Sequence, residues 1–106
     1  MADEFFQQLF RKRQRRIQAA DAAVAEAARL FEEAKTGNKR RLIRAAAKRC
    51  ESAAARYREA ALGLLAKRQF ATAARYYSLA GDCEGARLNQ ERCLAVSTYW
   101  DDADSP

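Results

Sequence analysis

Apolar residues recur at alternating steps of three and four along the first third of the chain, the spacing of a helix with one buried face. The members of this series are Phe10, Ile17, Ala20, Val24, Ala27, Phe31 and Ala34, and Arg13 interrupts it once. Acidic residues at positions 3 and 4 suit a first helical turn. The pattern therefore predicts a helix from about Ala2–Asp3 to Lys35.

A second series with the same spacing predicts a helix from about Lys39 to Lys67. Its members are Ile43, Ala46, Cys50, Ala53, Tyr57, Ala60 and Leu64. Between the two series, Gly37 suits the position after a helix end, and Asn38 suits the N-cap of the next helix. A loop this short makes the helices antiparallel neighbours, so residues whose numbers sum to about 75 should face each other.

Two shorter apolar patterns follow. Phe70, Ala73, Tyr77 and Ala80 predict a third helix that begins near Gln69 and ends at Gly81-Asp82. A fourth helix should run from about Cys83 to Ser97, with apolar contacts from Ala86, Cys93, Leu94 and Val96. We therefore expect one all-α domain over residues 1–98, a long antiparallel hairpin followed by a short repeat-like hairpin. Residues 99–106 form an acidic tail that should be disordered.

Composition agrees with an all-α chain and argues against several classes of function. The 106 residues include one proline, at the last position, and four glycines, too few turn residues for a sheet protein of this size. There are three cysteines and no histidine, so a zinc site is not expected, and the cysteines suit small buried residues in a reducing compartment. No phosphate loop or activated nucleophile is present, so we expect no enzyme, cofactor or metal. Without a long apolar run or a secretory leader, the expected location is intracellular, cytoplasmic or nuclear.

Residues 54–82, AARYREAALGLLAKRQFATAARYYSLAGD, resemble a tetratricopeptide repeat. Tyr57 stands at the first aromatic position of that family, and Ala60-Ala61 stand at its leucine–glycine pair. Leu64, Phe70, Ala73, Tyr77 and Ala80 match later positions. The A-x-x-Y rhythm is also similar to that of microtubule-interacting and trafficking domains. Both resemblances imply a helical module that binds proteins.

The net charge of +6 is unevenly distributed. At the predicted register, the acidic end of helix one faces the basic start of helix two, which favours ion pairs between the helices. The acids concerned are Glu26, Glu32 and Glu33, and the bases are Arg41, Arg44, Lys48 and Arg49.

The cluster RKRQRR at 11–16 faces only one acid at that register, Glu59. It is therefore a solvated face, a binding patch for an acidic protein, an anionic membrane or nucleic acid, or an import signal. The candidate basic patch comprises Arg11, Lys12, Arg13, Arg15, Arg16, Arg40, Arg41 and Arg44.

The segment FFQQLF, which precedes this cluster, has two interpretations. The register places Phe5, Phe6, Leu9 and Phe10 near residues 64, 65 and 70, so we expect them in the core. If they are not buried there, they form an exposed patch that acts as an interface, or a helix at a membrane surface.

The resulting prediction is a non-enzymatic adaptor or scaffold subunit that binds an acidic or helical partner segment on the third and fourth helices. Five side chains should point outward there: Arg68, Arg75, Tyr76, Arg87 and Gln90. The alternative is nucleic-acid binding through the basic faces at 11–16 and 39–49. A homo-oligomer formed through alanine-rich faces is the third possibility.

Overall fold

The computed structural model describes residues 2–37 and 39–98 and folds them into four α-helices. These are α1 (Ala2–Lys35), α2 (Arg40–Glu59), α3 (Gly63–Leu79) and α4 (Cys83–Ala95). Each helix packs mainly on the next one along the chain. The all-α prediction is confirmed, whereas the predicted acidic tail, residues 99–106, lies outside the described residues.

The first hairpin has the predicted register. Arg16 Nε lies 3.7 Å from a carboxylate oxygen of Glu59, a pair whose numbers sum to 75. Further along the helices, residues 23, 26, 49 and 52 line one shallow cavity between α1 and α2, again at that register. The N-cap position of α2 is Lys39 instead of the predicted Asn38, which lies outside the described residues, and the Lys39 side chain makes no capping hydrogen bond.

Alanines form most of the interface between α1 and α2. Ala20, Ala27 and Ala34 of α1 are almost completely buried. The corresponding face of α2 contributes Ala46, Cys50, Ala53 and Tyr57, and Ala47 and Ala54 are buried about a quarter of a turn farther round the same helix. Helix α2 is buried on two sides because it lies between α1 and α3. Small side chains let three helices approach closely, and Ile17, Val24, Leu30 and Phe31 fill the edges of the core.

The prediction that helix two continues to Lys67 is wrong. Helix α2 ends at Glu59, and Ala61 adopts a left-handed conformation with φ of +62°. The Leu62 N–H donates to the carbonyl of Tyr57 at 2.8 Å and closes the turn. This conformation costs a non-glycine residue about 1–2 kcal/mol. The turn brings Leu62, Leu65, Ala66 and Phe70 onto the core, and their burial offsets that cost.

The same turn recurs twenty residues later, between α3 and α4. Gly81 has φ of +80°, and the Asp82 N–H donates to the Tyr77 carbonyl at 2.8 Å. The Asp82 side chain also caps α4 by accepting a hydrogen bond from the Gly85 N–H at 2.9 Å. The two turns therefore share one geometry, with glycine in the left-handed position of the second and alanine in the first.

The early end of α2 changes the short hairpin. Helix α3 begins at Gly63, not near Gln69, and runs without a break through residues 67–69, the predicted boundary between helices two and three. The short hairpin still consists of helices three and four, and α3 is longer at its N-terminus than predicted. Helix α4 ends at Ala95 instead of Ser97, and Leu94 is 80% exposed, so it is not the predicted core contact.

A polar network centred on Glu51 connects α2, α3 and α4. Its carboxylate accepts hydrogen bonds from the Tyr77 hydroxyl, from the Asn89 amide at 3.2 Å and from Arg92 at 2.8 Å. Asn89 is only 1% exposed. Burial and the hydrogen bond to Glu51 raise the pKa of the Tyr77 hydroxyl, so the tyrosine remains neutral. In the first hairpin, Tyr57 donates to Asp21 in the same way.

Candidate protein-interaction surfaces

The first four turns of α1 extend beyond the rest of the bundle. At the register of the first hairpin, α2 covers residues 16–35 of α1 and leaves residues 3–15 without an opposing helix. We call residues 3–15 the overhang. It contains four large apolar side chains that are about half exposed or more: Phe5 60%, Phe6 64%, Leu9 47% and Phe10 59%. The expectation that these residues lie in the core is wrong, because α3 turns back at residue 63 before it can reach them.

The basic cluster at 11–16 is attached to this exposed surface. Arg13 Nε donates to the Ala60 carbonyl at 3.1 Å, and Arg16 pairs with Glu59, so these two cations fix the overhang to the end of α2. Arg11, Lys12 and Arg15 are exposed and form no ion pair within residues 2–37 and 39–98. Glu59 is thus the one described acid that pairs with the cluster, as the register predicts.

The second group of cations, Arg40, Arg41 and Arg44, lies at the opposite end of the first hairpin. Arg41 faces residue 34 at the common register, about 30 Å from the overhang cluster along α1. Arg44 Nε lies 3.9 Å from a carboxylate oxygen of Asp82, in the turn before α4. The eight residues of the candidate basic patch therefore form two separate surfaces.

The expected ion pairs between α1 and α2 are not formed. Arg29 instead binds Glu26 at 2.6 Å and Glu33 at 3.2 Å within α1, and Lys35 binds Glu32 at 3.0 Å. Partners three or four residues apart on one helix meet without spanning an interface, which explains the preference. The hydrogen bond from Arg29 lowers the pKa of Glu26.

A groove of about 520 Å³ runs between α3 and α4. Its exposed large apolar residues are Leu79, at 51%, and Leu94, at 80%. Two predicted site residues, Arg75 and Gln90, also line it. The remaining lining residues are Ala71, Ala74, Ser78 and Cys93. The groove therefore has an apolar floor with a cation on one wall and an amide on the other.

Two other predicted site residues lie beside this groove. Arg68 is exposed and lies one turn before Ala71 on the same face of α3. Arg87 is exposed one turn before Gln90 on α4, but Glu84 and Glu91 both bind its guanidinium at 2.5 Å. That pairing raises the pKa of Arg87 and compensates its charge. Arg68 and Arg75 are thus the cations that can attract an acidic partner here.

Tyr76 does not point outward as predicted. Its ring is half-buried and stacks on Phe31 of α1, with centroids 4.5 Å apart and planes 13° apart. It therefore joins α3 to α1, away from the groove. Leu79 and Leu94 were missed as surface residues, although Leu94 follows Arg87 and Gln90 at helical spacings of seven and four residues.

The described residues contain no cluster of side chains that could hold a metal ion, and no described helix has the length and apolarity to cross a membrane. The three cysteines are free thiols. Burial raises the pKa of the Cys50 thiol to about 11, which keeps it neutral and unreactive near pH 7.

No family model, curated protein or solved structure matches the chain. The function has to be inferred from the surfaces that the fold leaves uncovered. These are the groove between α3 and α4 and the overhang of α1.

Proposed function

We propose that this protein is a non-enzymatic interaction module that binds a helical segment of a partner protein in the groove between α3 and α4. The exposure of Leu79 and Leu94 along one continuous apolar groove carries this proposal. Two exposed leucines on facing helices offer anchor points for an amphipathic helix, the recurring helix-in-groove mode of recognition.

The charges around the groove define the partner. Arg75 lines it, and Arg68 lies beside it without an ion pair within the part of the chain that the structure describes. A partner helix with leucine-like residues at i, i+3 or i+4 and acidic residues on its flanks fits this arrangement. Helix α4 has 13 residues, about 20 Å, so the groove accommodates roughly three to four turns of partner helix.

A displayed library of 18-residue helical peptides, selected on immobilised protein, tests this proposal. The selected peptides should be amphipathic and acidic, and a Leu94→Asp variant should bind them at least tenfold more weakly by fluorescence anisotropy. Leu88→Asp is the matched control, because Leu88 is 37% exposed on α4 and does not line the groove. A library that yields no binders, or binders that do not distinguish the two variants, would contradict the proposal.

The second candidate function is binding of single-stranded nucleic acid at the overhang. The observation that favours it is that exposed Phe6 and Phe10 share one stretch of α1 with Arg11 and Lys12, which are exposed and form no ion pair among the described residues. Exposed rings stack on bases and arginines contact phosphates in such sites. Anisotropy of a labelled 20-nucleotide strand at 50 and 200 mM salt tests it. Binding that falls steeply with salt would support this function, and no binding at 50 mM would exclude it.

A further inference from the structure

The residues that follow α4 are chemically complementary to the groove between α3 and α4. Two aromatic residues, Tyr99 and Trp100, precede three acids at positions 101, 102 and 104, and no cation lies among residues 99–106. The groove has an apolar floor and a cation on its α3 wall. Aromatic rings suit such a floor, and carboxylates suit such a wall. The acidic tail, residues 99–106, is therefore a candidate occupant of the groove.

The α3 wall of the groove carries two uncompensated cations. Arg75 lines the groove, and Arg68, seven residues earlier, projects within about 20° of it at 100° per residue. Both side chains are exposed and form no ion pair within residues 2–37 and 39–98. On the facing helix, Glu84 and Glu91 both bind Arg87 instead. The two cations of α3 are thus available to an acidic ligand.

These cations begin at the end of the groove where the tail leaves α4. Tyr77 packs directly against Gly85, where an added Cβ atom would lie 2.8 Å from the ring. Lys67 Nζ donates to the Cys93 carbonyl at 2.8 Å. Residues of the antiparallel helices α3 and α4 therefore lie level when their numbers sum to about 160. This register places Arg68 level with the last turn of α4.

Val96 fixes the origin of the tail. It is 8% exposed and belongs to the core cluster that contains Ala66 and Phe70. An extended chain advances about 3.3 Å per residue, so Trp100 can reach about 13 Å from Val96, and Asp104 can reach about 26 Å. The groove follows α4, which is about 20 Å long. The aromatic and acidic residues can therefore cover it without any change in the four helices.

The spacing of the charges also fits. Arg68 and Arg75 are seven residues apart on a helix, a separation of about 10 Å. Asp101 and Asp104 are three residues apart, also about 10 Å in an extended chain. When these pairs meet in chain order, the tail runs back along the groove, antiparallel to α4. The tryptophan that precedes the acids then lies level with Leu94, which is 80% exposed.

We propose that the tail docks in the groove of its own chain and competes there with a partner helix. The tryptophan ring covers the exposed leucine of α4, and the acids pair with the two cations of α3. Because the tail is tethered beside the groove, its effective concentration there is high and weak contacts suffice. The competition rests on the proposed function, whereas the docking does not.

Trp100 reports the docking, because it is the one tryptophan of the chain. The reference is a tail-neutral variant with Asp101→Asn, Asp102→Asn and Asp104→Asn. At 2 µM protein and 50 mM salt, wild-type emission should be shifted to the blue of this variant, and acrylamide should quench it about threefold less efficiently. The difference should shrink at 500 mM salt, since salt screens exposed ion pairs.

Charge reversal tests the pairing in the full chain. Arg68→Glu with Arg75→Glu should release the ring as the tail-neutral variant does. Asp101→Lys with Asp104→Lys should do the same, and all four substitutions together should restore protection from acrylamide. Circular dichroism checks that every variant keeps its helix content.

A matched control lies on the overhang, where Arg11→Glu with Lys12→Glu changes the net charge as much as reversal of the two groove cations. This control should leave the quenching of Trp100 unchanged. The inference is overturned if wild type is quenched as efficiently as the tail-neutral variant, if the overhang control releases the ring, or if the fourfold variant fails to restore protection. Protection that appears only as the protein concentration rises to 200 µM would also overturn it and would identify the tail of a second copy as the occupant.

Partner peptides separate this inference from the proposed function. Acidic helical peptides without tryptophan, selected on the groove, should bind the tail-neutral variant at least threefold more tightly, because wild type must first release its tail. Adding peptide to wild type should also increase the quenching of Trp100. If Trp100 is protected but the selection yields no peptide, the docking stands and the proposed function fails. If peptides bind both proteins equally and Trp100 is unprotected, the proposed function stands and the docking fails.

Discussion

Replacing Ala61 with glycine should stabilise this protein, although the same replacement destabilises most helical proteins. Ala61 has φ of +62° in the turn between α2 and α3, a region that side chains with a Cβ atom rarely adopt. Glycine adopts it without steric cost. The sign of the effect therefore reports whether the chain turns at this residue or continues as a helix.

The magnitude follows from two opposing terms. Relief of the left-handed alanine contributes about 1–2 kcal/mol, and the greater freedom of glycine in the unfolded chain subtracts about 0.4–1 kcal/mol. The net gain in the free energy of unfolding should be about 0.5–1 kcal/mol, or roughly 3–6 °C in melting temperature for a domain of this size. In a helix interior the replacement would instead cost about 1 kcal/mol.

The second turn provides the reverse experiment. Gly81→Ala should destabilise the protein by a similar amount, since an added Cβ atom meets only the Arg40 guanidinium at 3.6 Å and the cost is that of the backbone. Urea unfolding followed by circular dichroism measures all variants. Ala28→Gly, at an exposed position inside α1, is the control and should lose about 1 kcal/mol. If Ala61→Gly is as destabilising as this control, the turn at residues 60–62 is wrong.

Two further predictions concern the interior. Glu51→Ala should lower the free energy of unfolding by about 2–4 kcal/mol, because it removes the acceptor of the Tyr77 hydroxyl and of one N–H of the buried Asn89 amide, whose other N–H still donates to the Gly85 carbonyl. Glu59→Ala, at an exposed ion pair, should change it by less than about 1 kcal/mol in the same urea titration. Raising the pH from 8 to 10 should lower the free energy of unfolding by about 1 kcal/mol because of Cys50. The pKa of its thiol is 9.0 in the unfolded chain and rises to about 11 in the folded protein. The folded state favours the protonated thiol, so this stability is present below pH 9 and is lost as the pH rises toward 11. Cys50→Ala should remove that part of the pH dependence, and an equal loss in the variant would contradict the assignment.

The sequence predicts the first hairpin well because its signals are local and consistent. The turn at Gly37 and the three–four spacing of large and small residues fix the register at which Arg16 meets Glu59. The alanines that the spacing assigns to the seam, such as Ala27 and Ala46, are buried. At these positions helix propensity, capping and packing all favour the same structure.

The end of α2 could not be predicted from local rules. Alanine is the strongest helix former, so Ala60-Ala61 indicate a continuing helix, and no proline or glycine marks the turn itself. The turn forms because Leu62, Leu65 and Phe70 gain burial against α1 and α2, which is a tertiary effect. The only local hint is the likeness of Tyr57-x-x-Ala60-Ala61 to the Tyr77 segment that ends in Gly81.

The wrong end of α2 also made the predicted exposure of surface residues wrong. A longer α2 would have covered Leu9 and Phe10, and the start of the predicted third helix would have covered Phe5 and Phe6, which is why burial of the overhang is the first interpretation from the sequence and exposure the second. The expected core contact of Leu94 rests on its apolar character alone, although its helical position places it with Arg87 and Gln90 on the groove side. The outward position of Arg75 and Gln90 could be predicted, because helical spacing alone puts them on a different face from the buried alanines. Both residues line the groove.

Labelling of single thiols tests most directly whether α1 extends beyond its partner helix. In a background with Cys50→Ala, Cys83→Ser and Cys93→Ala, a Phe10→Cys variant reacts with Ellman's reagent at a protein concentration of 1 µM. If α2 ends at Glu59, the rate should lie within a few-fold of the unfolded chain, whereas Ala27→Cys, at a buried position, should react at least a hundredfold more slowly. Equal protection at positions 10 and 27 would show that a helix covers the overhang and would contradict the account.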